Sequence, residues 1–101
     1  MDTSVSTADG RSVIRLSGRF DFNAHREFRD AVDQVLKGEG TQEIQVDFAA
    51  VDYLDSSALG MLLMLRDKAR SAGKTVTLAN CRGAVKQVIE IANFGKLFPI
   101  S

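Results

Sequence analysis

Apolar and polar residues change rhythm several times along the chain, and each change marks a predicted element. Val5 allows a short first strand, and Asp9-Gly10 is a hairpin turn signal. Val13, Ile14 and Leu16 then predict a strand that stops at Gly18. From Asn23, a suitable N-cap, the residues Ala24, Phe28, Ala31, Val32, Val35 and Leu36 recur at helical spacing, and Gly38 and Gly40 end the run. Ile44, Val46 and Phe48 alternate with Gln45 and Asp47, the period of a half-buried strand reaching Ala49. A second helix is predicted over Ser56 to Ser71, ending at Gly73, and Val76 and Leu78 mark another strand. Val85, Val88, Ile89 and Ala92 give a third helix, and Leu97, Phe98 and Ile100 leave a tail that is either a short last strand or packed coil.

The order β-β-α-β-α-β-α, with room for a final strand, implies right-handed crossovers. The expected fold is therefore α/β: a mixed, largely parallel sheet of four to five strands with helices packed chiefly on one face. At 101 residues there is material for one core, so residues 1–101 are expected to form a single domain.

The segment Val51 to Leu63, Val-Asp-Tyr-Leu-Asp-Ser-Ser-Ala-Leu-Gly-Met-Leu-Leu, joins a predicted strand to a predicted helix. Exposed backbone N–H groups and the positive end of the helix dipole meet there. Asp55 is placed to be the N-cap, Ser56 falls on the first turn, and Ser57 follows one step round. By spacing alone, Asp-Ser-Ser is a helix cap. Gly60 lowers helix propensity by about 1 kcal/mol relative to Ala, which predicts close packing against a neighbouring backbone. Leu59, Leu62, Leu63 and Leu65 cover much of the helix, and Met61 and Met64 are expected on its outward side, as adaptable contacts for a partner.

Asp55-Ser56-Ser57-Ala58-Leu59-Gly60, after the strand Ile44 to Phe48, resembles the signature of the STAS family, which includes the bacterial anti-sigma factor antagonists. Leu16-x-Gly18-x-x-Asp21, Gly73-Lys74 and Phe94-Gly95-Lys96-Leu97-Phe98 fall in that family's order as well, so the resemblance spans nearly the whole chain. The family's most frequent signature has Gly where this chain has Ala58, a mild departure that favours helix. The resemblance implies that Ser56 is a phosphate acceptor, that Ser57 is its weaker neighbour, and that Asp21 lies close to Ser56 and helps a partner engage it. It also implies the partners: an anti-sigma factor with serine kinase activity and a PP2C-type phosphatase. Unphosphorylated, such a protein sequesters the anti-sigma factor and frees a sigma factor. The alternative within the family is a STAS module that senses a ligand or nucleotide, or acts on a non-sigma partner.

Composition narrows the field further. Thirteen basic and thirteen acidic residues cancel, which argues against direct nucleic-acid binding. No signal-like terminus or membrane-length apolar run is present, so the expected location is the cytoplasm, with no membrane partner. Cys81 is the lone cysteine and is expected to be a semi-buried side chain near a strand end; His25, the lone histidine, is read as a first-turn helix residue or a partner contact. No metal or cofactor is implied. A response-regulator receiver would need an acidic pair after its first strand, whereas Asp21 stands alone. A hydrolase built on Asp52, Asp55 and Ser56 would need a base and an oxyanion site, and neither accompanies them. A regulatory binding module rather than an enzyme is the expected class.

Overall fold

Asp9 (φ 52°) and Gly10 (φ 80°) both take left-handed backbone, as a two-residue hairpin turn requires. They fold β1 (Asp2–Ala8) antiparallel onto β2 (Arg11–Phe20), with Ala8 opposite Arg11. The computed structural model describes residues 1–38 and 40–100. After β2 come a 3-10 turn (Phe22–Ala24), α1 (His25–Lys37), β3 (Glu43–Leu54), α2 (Ser56–Ser71), β4 (Thr75–Ala79), α3 (Gly83–Ile91) and a second 3-10 turn (Phe94–Lys96). Among the described residues the sheet has four strands in the order β1-β2-β3-β4, with β2–β3 and β3–β4 parallel, so the mixed α/β architecture stands. The described part of the tail adds no fifth strand. It makes one bridge, Leu78 to Ile100, and the Leu78 N–H donates to the Pro99 carbonyl at 3.0 Å.

One face of the sheet carries the core. Ile14, Leu16 and Phe20, Ile44, Val46 and Phe48, and Val76 and Leu78 are buried beneath Phe28, Val32 and Val35 of α1 and Leu62 and Leu65 of α2. Val85 and Ile89 of α3 join the same cluster, and the Arg82 guanidinium donates to the Ala49 carbonyl, tying the start of α3 to β3 beyond the end of β4. Aromatic packing centres on Phe20, whose ring lies 4.9 Å from that of Phe28 and 6.4 Å from that of Phe48. The opposite face is polar: Arg15 donates to the Ser6 hydroxyl at 2.8 Å, and Asn80 donates to the Asp47 carboxylate at 3.0 Å. The buried hydroxyls of Ser12 and Thr41 satisfy one another at 3.0 Å.

Two strands run further than the hydrophobic pattern predicts. β2 does not stop at Gly18 but passes through it at φ 98° and continues to Phe20, with register shifts against β3 on both sides. β3 likewise extends past Ala49 to Leu54, because the continuing β2 offers it a partner up to the pair Phe20–Leu54. These extra residues carry both strands out to the same end of the sheet, where the candidate site lies.

Candidate functional site

Phe20 and Leu54 are register partners, so the residues that follow them, Asp21 and Asp55, leave the sheet side by side. The Asp55 N–H donates to the Phe20 carbonyl at 3.3 Å and fixes the two loops together. Each aspartate is extended (φ −126° and −112°) and turns its carboxylate onto the backbone that follows. Asp55 Oδ1 accepts from the Ala58 N–H at 3.0 Å, the N-cap bond expected of it. Asp21 Oδ1 accepts from the Asn23 N–H at 3.0 Å, so Asp21, not Asn23, caps the entry to the first helical region. Asn23 instead lies within the 3-10 turn, and α1 proper begins at His25 with no side-chain cap.

Ser56 is the first residue of α2 and is exposed; Ser57 is half-buried. Asp55 precedes Ser56 directly, Asp21 leaves the neighbouring strand at the matched position, and Asp52 lies exposed on β3 four residues before Ser56. Arg19, opposite Tyr53 in the sheet, approaches Asp21 Oδ2 at 3.6 Å and lies 4.0 Å from the centre of the Tyr53 ring. Phe22, next to Asp21, is 71 % exposed. An open groove of about 340 Å³ runs between the 3-10 turn and α2, lined by Phe22, His25, Ser57, Gly60, Met61 and Met64.

Two expectations about α2 need correction. Met61 does not face out: it is 4 % exposed, because Ala58, Met61, Leu62, Leu65 and Ala69 form the stripe against the core, and only Met64 stays half-exposed. Gly60 is not a close-packing glycine either, since a Cβ built there would meet nothing within 4 Å. It is exposed and lies on the groove. His25 opens α1, exposed on the same groove. Arg19, Phe22 and Tyr53 complete the surface and were not singled out by the sequence. The available signal was Phe22, a large apolar residue in an otherwise polar connection.

Cys81 is half-buried just beyond β4, and burial, aided by the Asp47 carboxylate and opposed by Lys86, pushes its thiol pKa up. Among the described residues, no group of three His, Cys, Asp or Glu side chains is disposed to hold a metal ion, and no helix is long and apolar enough to cross a membrane.

The described residues thus form an α/β domain, a four-stranded mixed sheet with a serine opening the helix after its third strand. The chain belongs to the family described as "Mlab, STAS domain", whose model matches residues 3–99. It is 46 % identical over 100 residues, 98 % of this chain and 97 % of the relative, to a STAS-domain containing protein of Pseudomonas aeruginosa (strain UCBPP-PA14). Among solved structures it is similar to an anti-sigma factor antagonist from Mycobacterium paratuberculosis, at 27 % identity and a TM-score of 0.80, covering 98 % of this chain and 83 % of that one. The fold is shared also with the Bacillus cell fate determinant SpoIIAA in its phosphorylated form, at 19 % identity and a TM-score of 0.74, covering 99 % and 91 %.

Proposed function

We propose that this chain is a cytoplasmic anti-sigma factor antagonist whose binding is switched by phosphorylation of Ser56. The observation that carries the reading is Ser56, exposed at the first position of α2 directly after the Asp55 cap. Unmodified, the protein binds an anti-sigma factor that is also a serine kinase, and a sigma factor is freed. The kinase transfers the γ-phosphoryl group of ATP to the Ser56 oxygen; ADP leaves and the hydroxyl proton passes to the kinase. A PP2C-type phosphatase restores the serine by hydrolysis, releasing inorganic phosphate. The domain itself binds and is modified; the chemistry belongs to its partners.

Physical reasoning supports the switch from two sides. A phosphoserine adds a charge of about −1.5 to −2, which a helix N-terminus tolerates, so the modified chain stays folded. The partner meets that charge beside Asp21, Asp52 and Asp55, where an unpaired anion in an interface weakens binding by several kcal/mol. The groove supplies the unmodified contact. Phe22 offers apolar area, Met64 an adaptable side chain, and Gly60 leaves room for a partner to approach the helix backbone.

The site assignment is tested by incubating the protein with its partner kinase and ATP and mapping the product by mass spectrometry. One phosphate on Ser56 is expected, abolished by Ser56→Ala and largely spared by Ser57→Ala. Phosphate on Ser57, or modification that survives Ser56→Ala, would overturn it. Failure of any anti-sigma factor to bind, with a small ligand or nucleotide retained instead, would favour a sensing role.

A further inference from the structure

We propose that Arg19 is an internal phosphate clasp: on phosphorylation of Ser56 its guanidinium leaves Asp21 and the Tyr53 ring and pairs with the phosphate, so that the modification also remodels the neighbouring surface. The inference rests on the Ser56 reading above and adds a residue through which it acts.

Arg19 is held loosely. Its side chain is 64 % exposed, its ion pair with Asp21 is long at 3.6 Å, and its other contact is the face of Tyr53 at 4.0 Å. Exposed pairs of this kind are weak, so a stronger anion nearby can displace them. The register sets the gap to be closed: from Tyr53, the partner of Arg19, to Ser56 is three residues, roughly 10 Å of extended chain, which an extended arginine and a phosphoserine span together. Arg19 pairs with Tyr53, the next pair is Phe20–Leu54, and the Asp55 N–H bonded to the Phe20 carbonyl carries the chain straight into Ser56. A phosphate on Ser56 presents three acceptor oxygens and nearly two charges, against the single charge of Asp21. Planar guanidinium is the side chain best matched to that geometry. Among the neighbouring charges Asp21 is the anion that competes for the guanidinium, and the nearby His25, which could otherwise meet the phosphate, lies on the groove side by the start of α1.

The move has two consequences. Asp21 loses its counter-ion while the clasped phosphate keeps about one uncompensated charge, so the partner surface still gains the negative charge of the switch. Tyr53, which is 39 % exposed beneath the guanidinium, is uncovered. The phosphate thereby alters contacts beyond its own atoms. Tyr53 is also the one tyrosine in a chain without tryptophan, so its emission reports on this spot alone.

The test uses the full chain with phosphoserine placed at position 56 by genetically encoded incorporation, which needs no kinase. If the natural kinase modifies another residue, the Ser56 reading fails while this measurement still judges the clasp. Phosphorus NMR titration should give a phosphate second pKa lower by about half a unit in the Arg19 protein than in Arg19→Gln. Arg19→Lys, which keeps the charge but not the fork, should recover part of that difference. Acrylamide quenching of Tyr53 should rise on phosphorylation in the Arg19 protein and stay unchanged in Arg19→Gln. Equal phosphate titrations in the Arg19 protein and the Arg19→Gln variant, or an equal rise in Tyr53 quenching in the two, would overturn the proposal.

Discussion

Asp21 and Asp55 leave neighbouring parallel strands at matched positions, in matched extended conformations, and each caps the turn that follows. Their consequences differ. Asp55 reaches the N–H three residues on, and an α-helix starts at once with Ser56 at its first position. Asp21 reaches only two residues on, and the chain makes a 3-10 turn that presents Phe22 to solvent before α1 begins. The same side chain therefore builds a dipole-backed helix end in one place and an apolar projection in the other. In the proposed function the first is the point of modification and the second meets the partner, and the groove between them joins the two.

Substitutions on α2 should separate core from contact surface most strongly. Met61→Ala removes a buried side chain and should destabilise by about 2–5 kcal/mol, whereas Met64→Ala should cost under about 1 kcal/mol and instead weaken partner binding. Chemical denaturation of the two variants checks this; equal losses would mean that α2 does not present the stripe described.

The caps come next. Asp55→Ala should cost about 1 kcal/mol and lower the melting temperature by roughly 4–8 °C. Asp21→Ala should cost less than half as much, because the Asn23 N–H it releases is exposed to water and the turn keeps its backbone bond from the Ala24 N–H to the Asp21 carbonyl at 3.0 Å. Its larger effect should fall on partner affinity. Melting curves and binding titrations of both variants decide whether the two aspartates have diverged in this way or are equivalent structural caps.

Smallest of all is Gly60→Ala, which should raise stability by roughly 0.5–1 kcal/mol, since the added methyl meets open space and improves helix propensity. The same methyl enters the groove and should reduce partner binding. A variant that is both more stable and tighter binding would remove Gly60 from the contact surface.

Much of this was legible in the sequence where one physical signal acted alone. The bounds of α2 and the Asp55 cap follow from a strong cap residue before a long apolar run, and the chain folds them as read. Gly18 misled because glycine ends strands in most contexts, while here its positive φ accommodates a bulge and pairing resumes. Past Ala49, Asp52 and Tyr53 break the alternation of β3, and only the partner strand keeps them extended. Met61 was misplaced because apolar residues surround α2 on most sides, leaving periodicity little to choose between. The Arg19–Tyr53 pair was invisible for a different reason: it depends on register between strands, which no local pattern encodes.

Whether charge on Ser56 acts at the interface and not on the fold is decided by titration calorimetry of the anti-sigma partner. The partner is titrated into the unmodified chain and into the chain phosphorylated on Ser56, with melting curves recorded for both. Affinity should fall by about a thousandfold, the equivalent of about 4 kcal/mol, while the melting temperatures stay within about two degrees of each other. Equal affinities, or a loss of binding accompanied by a large drop in melting temperature, would contradict it.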